Sequence, residues 1–171
     1  MDKIYQLEGA YLIASPSVSH EMLRGSLIYL YQIDDDLVSG IIVNKPFKEK
    51  KIVEDFLAYP KTLSEHPVWQ GGPVATDRLI AFCDVDNDIY ITDRLTNLSE
   101  AQKDSCMVVV GQCVWDTKTL SSQIRSGDWM LVGSQLIIPA EIPAALRIEY
   151  VLRRSGISMS RYVHANAEVV T

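Results

Sequence analysis

The stretch that decides the fold is CMVVVGQCVW, residues 106–115, which is the most strand-like run in the chain. Its apolar residues follow one another almost without interruption. A strand with one face in water alternates apolar and polar side chains, whereas a strand covered on both faces does not need the polar positions. The stretch therefore predicts a strand that is buried on both faces of a sheet.

Runs rich in β-branched and aromatic residues predict further strands on either side of this one. These are residues 9–14, 25–33, 38–44, 78–85, 88–92, 129–132 and 135–138. Consecutive aspartates at 34–36 predict a hairpin tip, because an Asp side chain accepts hydrogen bonds from turn backbone. The stretch DVDNDIYITDRL, which begins at Asp84, has acids at alternate positions, as a calcium loop does. Ile89 and Leu95 stand where that loop needs Gly and Glu, so a polar hairpin tip is predicted instead.

Two helices are predicted before the central stretch. In KKIVEDFLAYP, residues 50–60, the apolar residues recur at helical spacing and a proline follows as a stop. Asn97, with Glu100 three positions later, has the pattern of a capping box, so a short helix is predicted to begin there.

Two more helices are predicted after it. Asp116 and Gly127 are placed to cap and to end the first, and a last helix is predicted at about 140–155. Hairpins early in the chain and helices interspersed later predict an α+β mixed sheet. Residues 1–171 show no repeat and no linker, so a single domain is predicted for the whole length.

The charge of the chain limits its partners. Its 171 residues carry a formal net charge of -6, whereas unspecific binding to nucleic acids or anionic membranes needs an excess of Lys and Arg. No apolar run approaches the roughly 18 residues that span a bilayer, and the first residues lack a basic leader before a long apolar segment. We therefore expect a cytoplasmic protein that neither binds DNA directly nor enters a membrane.

The residue types that carry most protein chemistry are scattered in this sequence. Cys83, Cys106 and Cys113 form no CxxC pair, which argues against both a disulfide framework and a zinc site. Cys83 and Cys106 have apolar neighbours and are expected as small buried hydrophobes. The three histidines are far apart, and the serines lack the GxSxG pattern of a hydrolase. The residues thus predict no metal, no cofactor and no catalytic group.

The candidate site consists of polar residues and glycines at the ends of predicted strands. Its members are Arg24, Asn44, Lys45, Gly71, Gly72, Asp77 and Arg78. If the folded sheet gathers the cations, they form either an ion-pair network that fixes strand order or a site for an anion. The glycines of VWQGGPVATDR, residues 68–78, permit either a corner between strands or a loop whose backbone amides bind an anion. Pro73 favours the corner, because it has no N–H to donate to an anion.

Several of these stretches together resemble the AlgH/YqgE family of small bacterial proteins. The likeness is carried by GAYLIASP (9–16), RGSLIYL (24–30), GIIVNKP (40–46) and VWQGGPVATDR (68–78), with weaker matches towards the C-terminus. The resemblance implies an α+β fold in which a bent mixed sheet forms a pseudo-barrel flanked by helices, in a bacterial cytosolic protein. It also implies a role as a regulator of transcription, a label that rests on genetic association with exopolysaccharide control. It brings no catalytic residues.

From the residues and the resemblance together we expect a non-enzymatic regulatory or interaction protein that acts on transcription indirectly. Its partner would be a protein or a small anionic ligand bound by the candidate residues. The alternative is a small hydrolase or transferase that holds an anionic substrate with the same Arg and Lys side chains. An activated nucleophile or base beside a substrate-sized space would favour the enzyme, and a filled cluster would count against it. A third hypothesis is direct DNA binding, which predicts that the affinity for duplex DNA falls steeply as the salt concentration rises.

Overall fold

A mixed β-sheet with a few helices makes up the fold. The computed structural model describes residues 8–16, 18–56, 66–86, 88–134, 138 and 141–157. The strands are β1 (Ala10–Ala14), β2 (Leu27–Ile33), β3 (Leu37–Ile42), β4 (Pro46–Ile52), β5 (Pro67–Gln70), β6 (Val74–Val85), β7 (Asp88–Thr92), β8 (Cys106–Asp116) and β9 (Trp129–Ser134). The helices are α1 (Glu100–Ser105), α2 (Thr117–Arg125) and α3 (Arg147–Arg154), with 3₁₀ turns at Val53–Phe56, Leu95–Asn97 and Ala144–Leu146.

Strand β8 joins the two halves of the sheet. Its first half pairs in parallel with β5 and antiparallel with β6, so that Val109 lies opposite Trp69 on one side and Ile80 on the other. Its second half pairs antiparallel with β3, where Trp115 lies opposite Val38. The strand order is β4-β5-β8-β3-β2-β1-β9, and the β6–β7 hairpin branches from β8. Parallel and antiparallel pairs in one sheet, with separate helices, confirm the predicted α+β mixed sheet.

The two ends of this strand order do not meet in the described part of the chain. The outermost strands of the path, β4 and β9, share no pairing there. The sheet is therefore open as described, and the closure into a pseudo-barrel that the resemblance implies is not among its pairings. The single domain over residues 1–171 stays a prediction, although one hydrogen-bonded sheet contains all the described strands.

Burial on both faces of β8 agrees with its apolar sequence. Val109 packs into a core cluster with Tyr29, whereas its neighbour Val108 packs into a second cluster with Leu79. Trp115, near the end of the strand, belongs to a third cluster that includes a residue of α2. Full burial of one such side chain contributes about 1.5–3 kcal/mol to folding. Strand β8 thus contributes side chains to all three apolar clusters.

The chain crosses itself where β5 ends. Gly71 and Gly72 lie directly against β8 at Gly111, so closely that a Cβ on Gly71 would come within 2.3 Å of the Gly111 carbonyl oxygen. A Cβ on Gly111 would come within 2.2 Å of the Gly72 carbonyl oxygen, and Gly111 has a φ of +84°. Only glycine fits such contacts, because the space is occupied by backbone, which cannot yield as a side chain can. The glycine pair is therefore a corner between strands.

Three of the predicted element boundaries are confirmed in detail. Asp34 Oδ1 accepts hydrogen bonds from the amides of Asp36 and Leu37 at the β2–β3 tip. Asp116 caps α2 by accepting from two of its first amides, and the helix ends just before Gly127, which has a φ of +82°. Strands β6 and β7 form the predicted hairpin, in which Val85 pairs with Asp88.

Other predictions of secondary structure are wrong. The helix predicted over residues 50–60 is strand β4 followed by a 3₁₀ turn, because Lys51 and Ile52 pair with β5 and sheet pairing overrides helical periodicity. Pro46 begins that strand. Residues 57–60 lie outside the described residues.

The remaining differences concern where helices begin. The capping box predicted at Asn97 is made two residues later by Ser99 and Gln102. The last helix starts at Arg147, after Pro143 and a 3₁₀ turn, and not at about 140. The strand predicted at 135–138 falls mostly on residues that are not described.

The described helices are short. They have six, nine and eight residues for α1, α2 and α3. None of the helices in the described ranges combines the length and the hydropathy needed to cross a bilayer. The cytoplasmic location stays a prediction.

We predict that Gly111→Ala lowers the free energy of unfolding by about 2–5 kcal/mol, because it adds backbone strain to a clash with the Gly72 carbonyl. Gly156→Ala is the matched control, since Gly156 also has a positive φ but no atom within 4 Å of an added Cβ. That variant should lose only about 1 kcal/mol. Urea unfolding of the purified proteins measures both. Equal losses in the two variants would show that the crossing itself carries no stability.

Candidate functional site

Asn44 and Lys45 fasten the end of β3 to the segment that leads into β2. The Asn44 side chain accepts from the Leu27 amide at 2.9 Å and donates to the Gly25 carbonyl at 3.1 Å. Lys45 Nζ donates to the Arg24 carbonyl at 2.5 Å. Three backbone groups of residues 24–27 are thus satisfied by two adjacent side chains, which explains the need for an amide followed by a cation at the end of this strand.

Arg24 lies beside Lys45 and is exposed. Its guanidinium folds back on its own loop, where Nε donates to the Val18 carbonyl at 3.0 Å and Nη2 to the Ser19 carbonyl at 3.3 Å. The pKa of Lys45 is lowered, first by partial burial and then by the positive charge of Arg24. Both cations are therefore held by uncharged carbonyl groups and repel each other.

The glycine corner adjoins these cations. The Gln70 amide donates to the Lys45 carbonyl at 2.9 Å, and the Ile42 amide donates to the Gly71 carbonyl at 2.9 Å. The Gly71 amide in turn donates to the Val110 carbonyl of β8 at 2.8 Å. Five of the predicted residues therefore share one neighbourhood, which we call the strand-end surface: Arg24, Asn44, Lys45, Gly71 and Gly72.

Arg78 and Asp77, the other two predicted residues, make different contacts. Both are exposed on the irregular start of β6, and Arg78 forms an ion pair with Asp93. The guanidinium lowers the pKa of the Asp93 carboxyl below its usual range. Within the described ranges Arg78 thus has a carboxylate partner, whereas Arg24, Lys45 and Asp77 make no ion pair there.

Gln112 contacts Gly72 of the strand-end surface and also Tyr31, whose pKa is affected by the charge of Arg78. Its backbone lies against Gly72, where a Cβ would come within 2.3 Å of the Gln112 carbonyl oxygen. Its side-chain oxygen accepts a hydrogen bond from the hydroxyl of Tyr31, whose pKa is raised by burial and lowered in part by the charge of Arg78. Sequence reasoning missed this polar pair, although a Gln inside an otherwise apolar strand was a visible signal.

Arg147 is a second residue that the sequence did not single out. It is 5% exposed and donates through Nη1 to the Val43 carbonyl at 2.7 Å and through Nε to the Ile142 carbonyl at 3.0 Å. Its guanidinium also lies 4.6 Å from the ring centre of Trp69, a cation–π contact. Arg147 opens α3, so its guanidinium lies at the N-terminal end of that helix. The signal available in the sequence was its spacing. Arg147 lies four residues before Val151, on the same face of the helix, and Val151 is buried.

A cleft of about 720 Å³ lies away from the strand-end surface. Residues of β2 and β7 and of the segment before β1 line it, among them Tyr29, Tyr31, Glu8 and Asp88. Its charged lining residues are acidic, so it is no place for an anion. Within the described ranges no group of three or more His, Cys, Asp and Glu residues could hold a metal ion.

We predict that Asn44→Ala lowers the free energy of unfolding by about 1–3 kcal/mol, because it leaves the part-buried Leu27 amide without its acceptor and removes the exposed hydrogen bond to the Gly25 carbonyl. The control is Asn97→Ala, the same substitution at an exposed position, which should change stability by less than about 0.5 kcal/mol. Urea unfolding monitored by fluorescence checks both. An Asn44→Ala protein as stable as the control would mean that the side chain does not fasten the strands.

Comparison with known proteins places the chain in a family. The family model described as DUF179, AlgH-like, matches residues 11–160. A UPF0301 protein of Erwinia tasmaniensis is 27% identical over 176 residues, which cover 90% of this chain and 94% of that protein. The UPF0301 protein YqgE of Escherichia coli is also 27% identical, with 90% of this chain and 94% of that protein covered.

Solved structures show the same fold. The solution structure of AlgH from Pseudomonas aeruginosa is similar with a TM-score of 0.67 at 18% identity, covering 90% of this chain and 91% of that one. The crystal structure of DIP2367 from Corynebacterium diphtheriae is similar with a TM-score of 0.66 at 16% identity, covering 93% and 91%. The family match spans most of the residues, including the strand-end surface. The chain belongs to the AlgH-like family.

Proposed function

We propose that the protein is a non-enzymatic regulatory protein that binds an acidic segment of a partner protein at the strand-end surface. The observation that carries the proposal is the pair of adjacent cations, Arg24 and Lys45. Neither takes part in an ion pair with any described carboxylate. Any control of transcription would then act through the partner.

The charge of the surface favours an anionic partner. The chain as a whole carries a net charge of -6, so two neighbouring uncompensated cations stand out against an acidic background. Lys45 is half-buried and its pKa is lowered in part by Arg24. A carboxylate placed between them would relieve that repulsion, and Arg offers a planar set of donors that suits it.

The shape of the surface favours a protein segment over an enclosed small molecule. The strand-end surface consists of strand termini and the exposed loop before β2, whereas the described cleft is elsewhere and has acidic lining residues. An exposed guanidinium and a partly exposed ammonium on such an edge suit an extended chain with several carboxylates.

The position of the thiols argues against the enzymatic alternative. The described Cys–His contact, between Cys106 and His66, lies at the start of β5 and β8. Gly71 lies past the other end of β5, so the length of that strand separates the cations from this thiol. An anionic substrate held by Arg24 and Lys45 would therefore lie away from it.

We predict that a synthetic Glu-rich peptide shifts the backbone NMR signals of Gly25, Lys45 and Gly71 in the isotope-labelled protein. Lys45→Gln should weaken this binding by about two- to five-fold, because it removes one partly exposed charge. Lys118→Gln is the matched control, since Lys118 is exposed on α2 and its replacement alters the net charge equally.

Three outcomes would overturn the proposal. One is an equal loss of affinity in Lys118→Gln, which would mean that only net charge matters. Another is inorganic phosphate that shifts the same signals at the same concentration of anionic charge, which would mean a small-anion site. The last is tight, steeply salt-dependent binding of duplex DNA to the same residues. Thermal melting of each variant verifies that it is folded.

A further inference from the structure

Two of the three cysteines face each other across the sheet. Cys83 of β6 and Cys106 of β8 are register partners in an antiparallel pair. The Cα atoms of such partners are about 4.5–5.5 Å apart, inside the range of about 4.4–6.8 Å that a disulfide spans. Both thiols are free, so the Cα spacing of register partners leaves a disulfide between them open.

His66 gives the two cysteines different chemical characters. Its Nε2 lies 3.9 Å from Cys106 Sγ and 3.0 Å from the Cys106 carbonyl oxygen. An Nε2–H aimed at these two atoms stabilises a thiolate at Cys106. The pKa of Cys106 is lowered, first by the neighbouring Cys83 thiol and then by the contact with His66. The pKa of His66 is raised by the same contact.

The two cysteines also differ in exposure. Cys106 is 8% exposed, whereas Cys83 is 0% exposed. Both residues are buried, and Cys106 is the more accessible of the two. It is also the one with thiolate character, which is the form that reacts.

Cys113 supplies an internal contrast. It lies in a different apolar cluster, and its Sγ is 3.9 Å from the Gly71 carbonyl oxygen. Burial raises its pKa to about 12. It is therefore a protonated thiol packed in the core, as a buried cysteine usually is.

We propose that Cys106 and Cys83 form a peroxide-reactive thiol pair, in which Cys106 takes up the oxidation and Cys83 resolves it as a cross-strand disulfide. The substrate class is a small peroxide, with hydrogen peroxide as the simplest member. The inference is independent of the proposed partner surface, which lies at the other end of β5.

The chemistry balances with the peroxide as the only oxidant. The Cys106 thiolate attacks one peroxide oxygen, so an S–O bond forms and the O–O bond breaks. The leaving hydroxide takes the proton that Cys106 released and becomes water, and the sulfur becomes a sulfenic acid. The Cys83 sulfur then attacks the Cys106 sulfur, the S–O bond breaks, and the departing hydroxide leaves as water with the Cys83 proton. Two thiols and one peroxide give one disulfide and two waters.

The direct test is to treat the reduced full chain with hydrogen peroxide and to analyse it by intact and peptide mass spectrometry without reduction. The expected product has lost two hydrogen atoms and contains a crosslink between the Cys83 and Cys106 peptides. Cys113→Ser should form the same crosslink at an unchanged rate. Cys83→Ser should stop at the sulfenic acid of Cys106, which dimedone captures.

His66 is assigned as a positioning residue, and His66→Gln tests it. We expect about ten-fold slower oxidation of Cys106, because less of it is thiolate. The ultraviolet absorbance of the thiolate, taken as the difference from Cys106→Ser, should fall in parallel. A merely structural role would lower the melting temperature and leave this absorbance unchanged.

The proposal is overturned if the wild-type protein forms only crosslinks between chains, or if Cys113 is oxidised as fast as Cys106. It is also overturned if no oxidation occurs until the protein is unfolded by urea. The wild-type crosslink decides the question even where a variant fails to fold.

Discussion

The contact between the backbones of Gly72 and Gly111 is the constraint on which the rest of the structure depends. There the chain leaves β5 and crosses β8, the strand that carries both halves of the sheet. A side chain at either position would push the backbones apart, since a Cβ on Gly111 would lie 2.2 Å from the Gly72 carbonyl oxygen. The close approach lets β8 pair with β5 and β6 before the crossing and with β3 after it.

The strand-end surface follows from this crossing. Because the Gly71 carbonyl accepts from the Ile42 amide, the end of β3 is held against the corner, and Asn44 and Lys45 come next in the chain. Their side chains are then directed at the backbone before β2. The same two residues thus fix the strand ends and give the surface its positive charge. The thiol pair lies towards the other end of β5 and does not share them.

The sequence could predict the parts of the fold that local chemistry determines. The unbroken apolar run of β8, the aspartates at 34–36 and the cap at Asp116 each have a local physical reason, and each is found where predicted. Residues 50–60 were misread because their helical spacing is overridden by pairing of β4 with β5, which depends on the tertiary fold. No local sequence pattern shows that pairing with β5, and not helical periodicity, determines the structure of this segment.

The site was predictable only in part for the same reason. Positions at strand ends indicated Arg24 and Lys45 as candidates, but their contact with backbone carbonyls depends on which strands are neighbours. Cys83 and Cys106 are 23 residues apart in the numbering and become partners only through the register of β6 with β8. Arg147 was not singled out, because the last helix was expected from about residue 140 and begins only at Arg147, after a 3₁₀ turn.

Native-state hydrogen exchange of the Gly71 and Ile42 amides tests the central claim most directly. These amides donate across the crossing, to the Val110 and Gly71 carbonyls. The account predicts that both exchange only through global unfolding, with the same opening free energy as the Val109 amide in the middle of β8. Exchange of Gly71 through a local opening, at the rate of an exposed loop, would contradict it.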